Sequence, residues 1–258
     1  MKISVIIPIY NGLQYIRECL KSIKNQTTLV EIEIILIDDA STDNLEFEIF
    51  SIKDELSLNN LIYIRNAKQL GPAKARNIGI ELASGNYIAF LDADDWWEKT
   101  KLEEQLKLIE KGYKFIYTGR KNVDGNKEKI VSCSEKVSIK DILKNNQITC
   151  SSVLLDSNIA KNNLMAYSDL CEDYYTWLKI LKNDLPFAYG INKPLVNYRI
   201  HSDSQSSNKI KHAMKRYKIY KVIGIPFYLR IYYISYYMVT GLFKYYIGKR
   251  EKKNVKNS

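Results

Sequence analysis

The chain has 258 residues, 46% of them hydrophobic, which is enough to bury the core of one generous domain or of a domain with an appendage, and excludes a disordered chain. Its four cysteines, Cys19, Cys133, Cys150 and Cys171, have neither C-x-x-C pairing nor metal-ligand spacing, and read as reduced thiols of an intracellular protein rather than a disulfide framework. The net charge of +10 is uneven: thirteen of the 39 Lys and Arg but one acid, Glu251, fall after position 208, leaving residues 1–208 at about −2 and the last fifty at about +12.

Lys2 to Pro8 is short, β-branched and nearly all apolar, as a strand covered on both faces should be, and turns polar too soon for a signal peptide. Asn11 is placed to cap a helix whose Leu13, Ile16, Leu20 and Ile23 fall on one face. Further strands are expected at Ile32 to Ile37, Leu61 to Ile64, Tyr87 to Leu91 and Phe115 to Tyr117, with a helix opened by Pro72 and running to about Ala83. This alternation predicts an α/β fold, a mostly parallel sheet of the doubly wound kind flanked by helices.

After Gly119 the pattern loosens. Asp124-Gly125-Asn126 reads as a turn, Gln147 to Leu155 as a strand, Asp173 to Leu181 as a helix, and Phe187 to Gly190 and Leu195 to Ile200 as strands. The expected division is a first half over 1–118, a smaller subregion over 119–208 that holds a second substrate, and a basic, aromatic helical tail over 209–258.

In that tail Tyr228, Tyr232, Tyr233, Tyr236 and Tyr237 sit among aliphatic residues and Lys/Arg, a composition that suits a membrane interface. The uncharged run Ile231 to Phe243 is shorter than the roughly 20 residues a spanning helix needs, which favours lying on a membrane over crossing it. Ordinary packing of these tyrosines against the body is the alternative.

The chemistry concentrates at strand ends. The turn after the first strand, Pro8-Ile9-Tyr10-Asn11-Gly12, has neither G-x-G-x-x-G nor G-x-x-x-x-G-K-[ST], which disfavours dinucleotide and P-loop sites. Instead Tyr10 follows the first strand, Asp38-Asp39 the second and Asp92-Ala93-Asp94 the fourth. An acidic turn alone reads equally as a helix cap or a solvated loop. Acids and an aromatic at neighbouring strand ends suit a base, a ribose and a metal-chelated diphosphate.

Four ordered blocks carry a resemblance: Ser4-Val5-Ile6-Ile7-Pro8-Ile9-Tyr10-Asn11, Ile37-Asp38-Asp39-Ala40-Ser41-Thr42-Asp43, Gly71-Pro72-Ala73-Lys74-Ala75-Arg76-Asn77 and Phe90-Leu91-Asp92-Ala93-Asp94-Asp95. They resemble the successive motifs of inverting family 2 glycosyltransferases with the GT-A fold, strongly over about residues 1 to 100 and onward to His201 through Glu172-Asp173 and Tyr198-Arg199-Ile200-His201. The resemblance implies that Pro8 and Tyr10 line the base and ribose pocket, that Asp39 accepts a hydrogen bond from the nucleobase, typically uracil, and that Arg76 sits near the nucleotide. It places Asp92 toward the ribose and sugar and Asp94 on Mn2+ or Mg2+ bridging the diphosphate, with His201 within reach of the metal or diphosphate. Asp173, beside Glu172 at the start of an apolar-periodic helix, is the candidate base that takes the acceptor hydroxyl's proton.

The expected activity is metal-dependent transfer of one sugar from a nucleotide-sugar, a UDP-sugar first, to a glycan or lipid-linked acceptor in bacterial surface polysaccharide synthesis. The expected setting is the cytoplasm, peripheral on the inner face of the cell membrane through residues 209–258. The Q-x-x-R-W motif and multiple spanning helices of processive relatives are missing, which argues for a single addition. Nucleic-acid binding by the basic tail is a different reading, disfavoured because it leaves the acids at three strand ends without a role. A nucleotidyltransferase making sugar nucleotides would need the Gly-rich, Lys-bearing first loop that is absent.

Overall fold

A computed structural model of the chain describes residues 1–166, 171–200 and 209–240. In chain order its elements are β1 (Lys2–Ile9), α1 (Leu13–Lys24), β2 (Glu31–Asp38), α2 (Leu45–Glu55), β3 (Leu61–Arg65), α3 (Pro72–Leu82), β4 (Tyr87–Phe90) and β5 (Trp96–Trp97). There follow α4 (Lys101–Ile109), β6 (Phe115–Asp124), β7 (Lys127–Val131), β8 (Lys136–Val137), α5 (Ile139–Lys144), β9 (Leu154–Asp156) and α6 (Ser157–Asn162). The last are α7 (Glu172–Asn183), β10 (Ala188–Arg199), α8 (Lys209–Val222) and a helix over 227–240, α9.

The strands form one mixed sheet in the order β3-β2-β1-β4-β9-β6-β10-β5, with β7 beside β6 and β8 beside β10. β1 pairs in parallel with both β2 and β4, and β3 with β2, while β9 runs antiparallel to both β4 and β6. β6 passes through position 118, so the two expected halves share this sheet. Alternate residues of β1 serve opposite faces. Ile6 belongs to the core cluster that includes residues of α3, α5, α7 and α8, whereas Val5 and Ile7 belong to the one that includes residues of α1, α2 and α4.

Several local expectations shift. Asn11 does not cap α1: it takes a φ of 50°, Gly12 is the cap residue, and the Leu13 amide donates instead to Asp43 of a neighbouring loop at 3.0 Å. Of Gln147 to Leu155 only the end joins β9, because Cys150–Ser152 form a 3-10 turn whose backbone bonds close locally. The two strands expected at 187–190 and 195–200 are one, β10, interrupted by a bulge around Pro194, whose nitrogen has no hydrogen to give a ladder. The tail helices pack and remain partly exposed at once. Ile219, Tyr220 and Tyr233 are buried, while Phe227, Tyr228, Ile231 and Tyr232 are exposed.

Candidate active site

All the sequence-predicted residues except His201, which lies outside the described residues, line two adjoining chambers at the carboxyl ends of β1, β2 and β4, with Arg76 contributed by α3 and Asp173 by the start of α7. A cleft of about 620 Å3 is lined by Pro8, Tyr10, Asp39, Arg76, Asp92 and Asp94. A second chamber of about 350 Å3 holds Asp173 and Glu172 and shares Arg76 and Asp92 with the first. The two chambers adjoin at this shared pair.

Each acid has its own surroundings. Asp39, buried at the end of β2, accepts from Asn66 Nδ2 and the Leu70 amide at 2.8 Å and from the Gly71 amide at 2.7 Å. Three of about four acceptor positions on that carboxylate are thus filled from the loop that leads into α3, leaving one for a ligand. Gly71 sits at φ 87°, a left-handed conformation that a side chain would strain, and this turns its N–H toward Asp39. Asp38, by contrast, is tied to Tyr63, Arg65 and the Ser41 amide and has no access to the cleft.

The turn after β4 separates three carboxylates by role. Asp95 is buried, accepting from Ser151 Oγ at 2.6 Å and from the Arg199 amide at 3.0 Å, so it anchors the turn. Burial pushes its carboxyl well above the usual range. Arg199 Nε also donates to the Asp94 carbonyl at 3.0 Å, and its guanidinium lies over the rings of Tyr15 and Trp96. The Tyr198-Arg199 block therefore holds the acidic turn in place, a task that the sequence does not disclose. Asp92 and Asp94 remain on the cleft wall.

Arg76, buried on α3, donates from Nη2 to Asp92 at 2.6 Å and from Nη1 to Glu172 at 2.9 Å, across 96 residues of chain in the second case. Glu172, read from the sequence only as half of an acidic pair, is thus the tie between α3 and α7. Asp173 follows it at the first turn of α7, where it accepts from the Tyr174 amide at 2.6 Å. Desolvation, and then the neighbouring Glu172 charge, raise its carboxyl to about 6, against the lowering pull of Arg76. A carboxylate poised there is ionised at neutral pH yet basic enough to accept a hydroxyl proton. Trp97 and Trp177 are buried packing residues, and Trp96 lies under Arg199.

For a divalent cation, the hard oxygen chemistry fits: Asp94 offers a carboxylate on the wall of a cleft large enough for a diphosphate, whose oxygens would supply further ligands. Among the described residues no cluster of three or more His, Cys, Asp or Glu could by itself hold a metal ion.

The geometry has counterparts. Residues 4–157 match the model of the family described as Glycosyl transferase family 2. The chain is 36% identical over 256 residues, 98% of each chain, to the UDP-Glc:alpha-D-GlcNAc-diphosphoundecaprenol beta-1,3-glucosyltransferase WfaP of Escherichia coli. It is 32% identical to WfgD of the same organism, which carries the same description, over 96% of this chain and 98% of that one. Among solved structures it is similar to S. aureus TarS 1-349 in complex with UDP-GlcNAc, with a TM-score of 0.72 at 21% identity, covering 92% of this chain and 72% of that one.

Proposed function

Because this chain belongs to glycosyltransferase family 2 and is a glycosyltransferase of GT-A-like fold, we propose that it transfers a single sugar, with inversion, from a UDP-sugar to a hydroxyl of a lipid-diphosphate-linked sugar in bacterial surface polysaccharide synthesis. The observation that carries the reading is the Arg76 bridge, which sets the donor-side Asp92 and the acceptor-side Asp173 on two chambers of one site. The donor and acceptor classes follow the relatives' descriptions, UDP-glucose and an undecaprenyl-diphosphate-linked GlcNAc.

The uridine lies against Pro8 and Tyr10, with the free acceptor position of Asp39 toward the base. Asp92, fixed by Arg76, faces the ribose and sugar. Asp173 takes the proton of the acceptor hydroxyl as its oxygen forms a bond to the anomeric carbon, while the bond from that carbon to the diphosphate oxygen breaks on the opposite face. Asp94, with His201 as a further candidate ligand, would hold a Mn2+ or Mg2+, which when bound would supply positive charge to the diphosphate side of the cleft. Residues 1–118 act as the donor half and 119–208 as the acceptor half. The exposed aromatic face of α9 with the basic residues of α8 would bring the enzyme to the cytoplasmic membrane surface, where a lipid-linked acceptor resides. Among the described residues no helix is long and apolar enough to cross a membrane.

The test is a thermal-shift panel of UDP, dTDP, GDP and CDP with Mn2+ or EDTA on wild type and Asp94→Ala, followed by transfer from UDP-glucose to GlcNAc-diphosphate on a short lipid. Stabilisation by UDP that requires both metal and Asp94, with a β-linked product, is expected. Absence of any metal-dependent nucleotide shift would overturn the reading.

A further inference from the structure

The acceptor chamber contains a second cation whose surroundings differ from those of Arg76. Arg120, on β6, lines the chamber together with Asp173, Thr149 and Tyr198. Its Nε donates to Asn122 Oδ1 at 2.8 Å, Nη1 bonds Thr149 Oγ1, and the guanidinium lies 5.0 Å from the centre of the Tyr198 ring. Among the described residues no carboxylate comes within ion-pair distance of it. All of its fixed partners are neutral. Burial disfavours its charge, as the lowering of its ordinarily very high pKa shows.

Withdrawing a guanidinium from water with no ion-pair partner among the described residues, and only the longer-range charge of Asp95 to favour it, is costly, and neutral side chains could brace Thr149 and Asn122 without that cost. The arrangement fits a cation preorganised for an anion that arrives with the substrate. Two fork positions are held by Asn122 and Thr149 and one face by the Tyr198 ring, so the remaining N–H edge has a fixed direction. The other charges in the chamber are already allotted: Arg76 neutralises Asp92 and Glu172, and Asp173 is reserved for the hydroxyl proton. A chamber of about 350 Å3 accommodates a sugar with one adjoining group, so the anion is carried by the acceptor sugar itself.

We propose that Arg120 is the residue that reads the phosphate attached to the acceptor sugar, and that it makes the enzyme selective for sugar-diphosphate carriers over neutral glycosides. This rests on the glycosyl-transfer reading above. Arg120 is a binding and specificity residue; it takes no part in the proton transfer at Asp173.

The experiment compares wild type, Arg120→Gln and Arg120→Lys on three acceptors with UDP-glucose: GlcNAc-α-diphosphate on a short prenyl chain, GlcNAc-α-1-phosphate, and the neutral methyl α-glycoside of GlcNAc. Loss of a charge-assisted hydrogen-bond set predicts a rise of about 10- to 100-fold in KM for the diphosphate acceptor in Arg120→Gln, with kcat changed little. The KM of the neutral glycoside should stay within about twofold, because it never used the guanidinium. Arg120→Lys should fall between, since it keeps the charge but loses the fork. Arg120-dependent use of the 1-phosphate assigns the effect to phosphate rather than to the lipid. Equal losses on charged and neutral acceptors, or none on either, would overturn the proposal.

Should no acceptor be glycosylated, the function proposed above fails, and Arg120 is then read by calorimetry with farnesyl diphosphate in the presence of saturating UDP. Binding abolished by Arg120→Gln supports the phosphate role, and binding retained contradicts it. A thermal melt of each variant verifies that the chamber has not unfolded.

Discussion

Asp173, Glu172 and Arg76 form a charge triplet whose members act on one another in opposite senses, and this makes the base testable by pH. Burial and Glu172 raise the Asp173 carboxyl to about 6, while Arg76 lowers it. A base must be ionised, so kcat/KM should fall as pH drops through about 6. Glu172→Gln removes the like charge and should move that limb to lower pH, provided Arg76 stays in place through Asp92. An unmoved limb would mean that another group controls it. The same residue costs stability, because the folded carboxyl holds its proton more tightly than the unfolded one. Stability therefore declines as pH rises from about 4 through 6. Asp173→Asn keeps the shape and the Tyr174 contact, and should abolish transfer by at least about a hundredfold while raising stability at pH 7.5 by about 1–3 kcal/mol. An active or destabilised Asp173→Asn would count against the assignment. Tyr10, Asp39, Asp92 and Asp94 were legible from the sequence because each follows an apolar strand, whereas Pro8, within β1, and Arg76, on α3, were indicated only by the family resemblance. The partner of Arg76 was not legible, since Glu172 lies 96 residues away and only folding selects it over other acids.

At the scale of elements, α3 is the part on which both chambers depend, and its seat on β1 is set by one glycine. A Cβ at Gly79 would lie 2.5 Å from Ile6 Cγ2, on a buried, β-branched side chain that cannot swing aside. Alanine ordinarily favours a helix interior over glycine by about 1 kcal/mol. Here the clash should reverse that sign, so Gly79→Ala should lose about 1–3 kcal/mol in denaturant melts. As α3 is pushed from β1, Arg76 moves with it, and kcat should fall further than the nucleotide affinity. A stabilised, fully active Gly79→Ala would refute this account. α1 was evident beforehand from its clean period, and α3 from the proline that opens it. α2 was not, because exposed Phe47 and Phe50 interrupt the stripe of buried Leu45, Ile49 and Ile52 and blur its face. β10 read as two strands because the bulge at Pro194 breaks the alternation that a continuous strand would show.

For the molecule as a whole, the tail helices link α7, which carries the proposed base, to the surface that would meet a lipid. Tyr174, the residue after the base, lies 3.1 Å from Tyr220 of α8 between hydroxyl oxygens, and Arg216 of α8 lies over both the Tyr174 ring and the Tyr237 ring of α9. Tyr220 is fully buried and donates to the Leu143 carbonyl at 2.7 Å, so α8 is part of the core. The composition of the tail pointed first to a membrane, with packing as the alternative; one face of the helices packs on the body and the other is exposed. Phe227, Tyr228, Ile231 and Tyr232 form an exposed apolar strip on α9 that carries a single nearby charge, Arg230. Phe227→Ser, Tyr228→Ser and Ile231→Ser together spare Tyr232, whose ring lies against the buried Tyr233, so the thermal melt should be unchanged. Flotation with vesicles containing anionic lipid should fall at least about tenfold, the equivalent of 1.4 kcal/mol. Turnover should fall with an acceptor embedded in those vesicles but persist with a short-chain acceptor in water. If partition and both turnovers are unaltered, the strip has no contact with lipid, and the acceptor reaches the second chamber by another side of the molecule.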